Sequence, residues 1–260
     1  MKSKKYFSLI CEIIPTLFIL SIVIVLWEIF VRATDIESYI LPTPSDIARS
    51  TFLNLDTLAK HARVTLLEAI GGLLCATILG ISTALTLKLF PKLDKSMQPI
   101  IAGLQSFPKE AIAPLLIVWF GFGITSKFII ATSIAFFPVF LSSLQGLKGV
   151  PKDVIDTFTA FRASQIFVLL KVRFPYSLPS LFSGLRVAST LSLVGAMIGE
   201  FVGSSAGLGH LTLVANSQFS VDLVFSCLFI LGLMGIILDF IIQLIARKVI
   251  CWHESISIKK

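Results

Sequence analysis

The sequence predicts an all-α protein that crosses a membrane several times, and two observations carry that expectation. Only 14% of its 260 residues are charged, whereas 55% are hydrophobic. A soluble chain of this length could bury a core, but it could not clothe its surface with so few charges. Apolar runs of roughly 20 residues, the length that crosses about 30 Å of hydrocarbon, also recur along the chain. Isolated strands cannot satisfy their backbone in lipid, so each run should be a helix.

Six such runs are expected, at residues 12–32, 63–88, 97–119, 126–147, 175–200 and 221–246. The first follows three lysines, as a secretory signal does. It is longer than a cleavable core and no A-x-A-like site follows it, which predicts a retained span. The third contains Pro99, Pro108, Lys109, Glu110 and Pro114 and should be kinked or broken, an irregularity tolerated only against protein or a water-filled path. Between the first two spans, Ser45 and Asp46 after Pro44 suggest the start of a short helix along the outer face. No repeat or soluble domain interrupts the chain, so one membrane domain over 1–260 is expected.

Basic residues fix the expected orientation. One side would hold Lys2, Lys4, Lys5, Lys88, Lys92, Lys95, Lys148, Lys152, Arg162, Lys171, Arg173, Arg247, Lys248, Lys259 and Lys260. The other would hold Arg32, Arg49, Lys60, Arg63 and Lys127. The positive-inside rule then puts both termini in the cytoplasm. The net charge of +7 is accounted for by this topology, and no basic stripe alternating with aromatics points to nucleic acid. Cys11, Cys75, Cys227 and Cys251 lie far apart, without disulfide or metal spacing, and His61 and His253 offer no metal spacing either.

The longest cytoplasmic loop, 148–174, has a pattern of its own. Pro151 suits a helix start, and Val154, Phe158 and Phe161 at i, i+4 and i+7 give the following segment one apolar face. Ser164 can cap a second helix through Leu170, and Pro175 should separate that helix from the fifth span. Such a hairpin could dock onto a partner or pack against the mouth of its own bundle.

This loop resembles the cytoplasmic signature of the permeases of binding-protein-dependent ABC importers, E-A-A, three residues, Gly, nine residues, I-x-L-P. Here Asp156, Thr157 and Phe158 stand at E-A-A, Arg162 at the glycine, and Val172, Arg173, Phe174 and Pro175 at I-x-L-P. The spacing is intact and the departures lie in residue type. Glycine there would permit positive φ, which costs arginine about 1 kcal/mol. Either the turn avoids positive φ or the chain tolerates the strain. The stretches LPTPSDI, FPKEAIAPLLIVWFGFG, AFFPVFLSSLQGLKGV, LPSLFSGLRVA and GEFVGSSAGLGHL extend the resemblance to the nitrate, sulfonate and taurine group and to permeases for pyrimidine thiamin precursors or riboflavin. The resemblance implies a MetI-like fold of six spans in the inner plasma membrane, paired with a second copy. It also implies a coupling loop, including Phe161 and Ala163, seated on a cytoplasmic ATPase, and an external binding protein that delivers a small solute. Independently, the chain has no G-x-x-x-x-G-K-[ST], so ATP must be handled elsewhere. No cofactor, metal or catalytic residue is expected.

Other residues have competing explanations. Lys109 and Glu110 in the broken span, and Glu200 at the end of the fifth, are candidates to line a translocation path, because ionisable groups in spans default to functional hypotheses. Glu200 could equally be an interfacial carboxylate, and Arg186 is expected to snorkel or pair internally rather than to contact substrate. Gly72, Ala76, Gly80 and Ala84, and Gly195, Gly199 and Gly203, could serve internal packing or a self-interface. Gly203-Ser204-Ser205-Ala206-Gly207 fits G-x-S-x-G literally, so a serine hydrolase is a competing class, but that motif needs a strand-to-helix elbow. An ion-coupled transporter would need an ionisable cluster near the midplane, which these spans scarcely offer.

Overall fold

The computed structural model describes residues 2–250, and every regular element within them is helical. Cys251, His253, Lys259 and Lys260 lie outside the described residues. In chain order the helices are α1 (Lys2–Ala33), α2 (Pro44–Leu53), α3 (Leu55–Leu89), α4 (Pro91–Ser106), α5 (Ala113–Phe120), α6 (Ile124–Lys148), α7 (Lys152–Ala160), α8 (Gln165–Val168), α9 (Phe174–Gly203), α10 (Leu208–Ser217) and α11 (Val221–Val249).

Among the described residues, four helical runs are long and apolar enough to span a membrane: Leu55–Leu89, Ile124–Lys148, Gln165–Gly203 and Val221–Val249. They match the second, fourth, fifth and sixth expected spans. The expected third span is the bent pair α4 and α5, which meet at 79° across a 3-10 turn at Lys109–Ile112. Pro108 precedes the turn and Pro114 opens α5, so these two flank the break, whereas Pro99 lies inside α4, seven residues before its end. Segment 12–32 falls on α1, a 32-residue helix.

Two boundaries differ from expectation. The helix α2 starts at Pro44, one residue before the expected Ser45, with Thr43 as its cap: Thr43 Oγ1 accepts the Asp46 N–H at 3.1 Å, and Pro44 occupies the first helical position, where its missing N–H costs nothing. Pro175 does not separate α8 from α9. A π turn at Leu169–Arg173 joins them, with the Phe174 N–H donating back to the Leu169 carbonyl. The ladder is already shifted when Pro175 arrives, and helix continues from Gln165 to Gly203.

The contacts divide the chain into two compact units, 1–59 with 211–229, and 60–210 with 230–260. In the first, Glu28 of α1 pairs with Arg32 at 2.6 Å and accepts the Ser45 N–H at 3.1 Å, tying α1 to the start of α2. Thr51 of α2 donates to Ser226 Oγ at 2.9 Å.

The second unit is organised around α6. Ala131 is fully buried; a Cβ added at Gly72 of α3 would overlap its methyl, and one at Gly195 of α9 would come within 2.7 Å of its Cα. Backbones can approach this closely only where one side chain is absent. Gly80 meets Val139 and Phe140 in the same way, and Gly199 meets Lys127. The two small-residue sets therefore serve packing within this chain.

Candidate functional site

The hairpin between α6 and α9 is built from α7, a tight turn and α8. Pro151 flanks α7 at its N-cap, and Ser164 Oγ accepts the Phe167 N–H at 3.2 Å to start α8. The turn is closed by two backbone bonds, Ala163 N–H to the Phe158 carbonyl at 3.0 Å and Arg162 N–H to the Thr159 carbonyl at 2.9 Å. That pairing is the Schellman pattern, and it places Arg162 at the position that favours glycine. Arg162 adopts it with φ 55°, so the chain tolerates the strain.

Little of α7 packs inward, and none of its residues is buried. Phe158 is half-buried against Phe167, with ring centroids 6.3 Å apart. Phe161 is 80% exposed, and Val154, Ile166 and Leu170 are exposed beside the polar Asp156 and Thr157. Ala163, Val172 and Pro175 are half-buried. The hairpin root is anchored: Arg173 donates to the Leu147 carbonyl at 3.0 Å, and Lys148 pairs with Asp94 at 2.7 Å. This is an anchored element with an uncovered apolar tip.

A second arrangement joins α3, α6, α9 and the start of α10. Lys127 is 7% exposed, and its Nζ lies 3.0 Å from Glu68 Oε1 and 2.5 Å from Ser204 Oγ. Glu200 accepts from Thr65 Oγ1 through Oε1 and from the Gly209 N–H through Oε2, both at 2.6 Å. Leu208 donates its N–H to Thr65 Oγ1 at 2.8 Å, and Gly207 donates to His61 Nδ1 at 3.0 Å. Side chains from α3 and α9 thus satisfy the first N–H groups of α10, and a carboxylate stands at the positive end of its dipole. Gly207 has φ 107°, and a Cβ there would fall on the Glu200 carboxyl.

Of the expected path residues, Lys109 and Glu110 sit together in the 3-10 turn. Lys109 Nζ lies 4.5 Å over the Phe137 ring, and Glu110 is exposed. Glu200 is 1% exposed, so it is a buried network member and not an interfacial carboxylate. Glu68 and Asp239 escaped the sequence reading, although an acid inside an apolar span was signal enough for both. The G-x-S-x-G stretch runs from the end of α9 into α10, a helix-to-helix turn without the elbow that a nucleophile needs.

Residues 76–250, which include the hairpin, match the family described as binding-protein-dependent transport system inner membrane component. The chain belongs to that family. A Haemophilus influenzae protein named as an ABC transporter permease is 36% identical to this permease over 92% of this chain and 98% of its own length. The riboflavin transport system permease protein of Chloroflexus aurantiacus is 32% identical, over 91% of this chain and 89% of that one. The inward-facing MetNI methionine ABC transporter has the same fold, with a TM-score of 0.61 at 18% identity, covering 76% of this permease and 97% of that chain. The protein is the transmembrane permease subunit of an ABC transporter for a small solute, a multi-pass inner-membrane component. Subunits of this family are not themselves enzymes, and they work with ATPase and binding-protein partners.

Proposed function

We propose that this permease, acting as one membrane domain of six spans with both termini cytoplasmic, pairs with a second copy to form the path for a small nitrogen heterocycle. An external binding protein delivers the solute, and an ATPase drives the cycle from the cytoplasmic side. The observation that carries the reading is the anchored hairpin with its apolar tip, Phe161 above all. Asp156, Thr157, Phe158, Phe161, Arg162, Ala163, Val172 and Pro175 form the coupling element, in which an ATPase groove would cover what the chain leaves bare. Closure of the ATPases would move the hairpin, and α9, continuous with α8, would carry that movement into the membrane. Lys109 and Glu110 would flank the path at the broken third span.

The heterocycle reading is supported by relatives named for riboflavin, at 32% identity, and for formylaminopyrimidine, at 31%. Relatives named for aliphatic sulfonates and taurine, at 26% and 25%, favour a small anion as the second reading. Release inward requires a weak-affinity state, so most selectivity would reside in the binding protein. The test is uptake by vesicles holding the permease with its ATPase and binding protein, offered labelled riboflavin, formylaminopyrimidine or taurine. Uptake of a heterocycle that needs both ATP and the binding protein is expected. Uptake driven by a proton or sodium gradient without ATP would sink the importer reading, and taurine uptake alone would replace the solute.

A further inference from the structure

Arg186 and Asp239 form a bidentate ion pair deep within two long apolar helices. Nε meets Oδ1 at 2.6 Å, Nη2 meets Oδ2 at 3.0 Å, and Gln243 Nε2 donates to Oδ2 at 2.6 Å. Arg186 lies twelve residues after Phe174, the start of α9, and Asp239 ten before Val249, the end of α11. At about 1.5 Å per residue both stand roughly 15–18 Å in from those positions, a depth that would lie near the middle of about 30 Å of hydrocarbon with its edge at Phe174 and Val249. Yet the pair is not covered: the side chains are 49% and 29% exposed. Ser183 and Thr190, one turn to either side of Arg186 on the same face of α9, are exposed as well.

Lipid is a poor neighbour for this face. A guanidinium has five N–H donors, Asp239 takes two, and no described residue accepts the other three. Hydrocarbon offers no acceptor. A dry contact with a second copy would have to offer three acceptors at fixed geometry, and at a two-fold axis it would offer only the same guanidinium, whereas water supplies acceptors at any geometry.

Resting on the permease reading, we infer that the α9 face of Ser183, Arg186 and Thr190, with Asp239 and Gln243 of α11, lines the water-filled translocation path. Arg186 presents its free donors there to acceptor atoms of the passing solute. Because Asp239 neutralises the guanidinium, the face selects for hydrogen-bond acceptors more than for net charge, which suits polar heterocycles.

The experiment uses the full transporter in vesicles, with the four native cysteines replaced and ATP-driven uptake retained. Ser183→Cys, Thr190→Cys and, as a control on the side of α11 turned away from Asp239 and Gln243, Ile241→Cys, a position 43% exposed, are treated with membrane-impermeant methanethiosulfonates, one anionic and one cationic. The Ser183 and Thr190 variants should react at least about a hundredfold faster than the control, the thiolate being the reactive form. Adding Asp239→Asn, which leaves the guanidinium without its counter-charge, should raise the anionic-to-cationic rate ratio about tenfold, as an unmasked nearby charge does. Rates as slow as the control's would overturn the inference in favour of lipid. Cross-linking between copies without modification would overturn it in favour of a dry interface, and an unmoved ratio would remove Arg186 from the water. Fast labelling together with ATP-independent uptake would sink the importer reading while leaving the aqueous face in place.

Discussion

Lys127 holds its ammonium 3.0 Å from the Glu68 carboxylate, in a place that solvent scarcely reaches. Removing one partner of a buried ion pair leaves the other uncompensated, at a cost of about 3–5 kcal/mol, whereas replacing both can be close to neutral. Lys127→Met should therefore lower the unfolding midpoint of the detergent-purified permease sharply. The double variant with Glu68→Gln should recover most of the loss. Equal damage in single and double variants would mean that the pair is not the source of the effect.

Glu200 and Gly207 test the anchoring of α10. Gly207→Ala puts a methyl group where the Glu200 carboxyl stands and adds positive-φ strain, a backbone cost of about 1–3 kcal/mol before the clash is counted. Amide exchange at Leu208 and Gly209 should rise in this variant and in Glu200→Ala, while α6 amides keep their protection. Uniform loss of protection would show that the turn does not open locally.

How far these features were legible in the sequence depended on whether their cause was local. Four of the six expected spans were, because lipid imposes length and composition on each helix by itself. The turn at Arg162 was legible only through the resemblance, which puts glycine at that position, and the sign of its φ stayed open until the structure gave 55°. The continuity through Pro175 was not: a π turn depends on how the preceding ladder is shifted, which no composition rule records. The buried array was not either, since Thr65 bonds Glu200 across 135 positions. An acid in an apolar span announces that it has a partner without saying which.

Arg162 offers a stabilising prediction. Arg162→Gly should relieve about 1 kcal/mol of αL strain, slowing exchange at the Ala163 amide that closes the turn. Arg162→Ala keeps the strain and should show no such slowing. A destabilised glycine variant would reveal that the guanidinium makes a contact worth more than the strain.

Phe161 separates docking from folding better than its neighbours do. Phe158 leans on Phe167, so a charge placed there would disturb the hairpin itself as well as anything bound to it. Phe161 is 80% exposed and contributes little to packing within the chain. A solvent-facing substitution ordinarily changes stability by no more than about 0.5 kcal/mol, whereas truncating an aromatic anchor in an interface costs about 2 kcal/mol or more. Phe161→Asp should therefore leave insertion and the unfolding midpoint unchanged while reducing the ATPase that co-purifies with the permease at least about thirtyfold, the factor that 2 kcal/mol represents. Full ATPase retention would remove the hairpin tip from the coupling interface. A fall in the midpoint together with retention would mean that Phe161 is covered by its own chain.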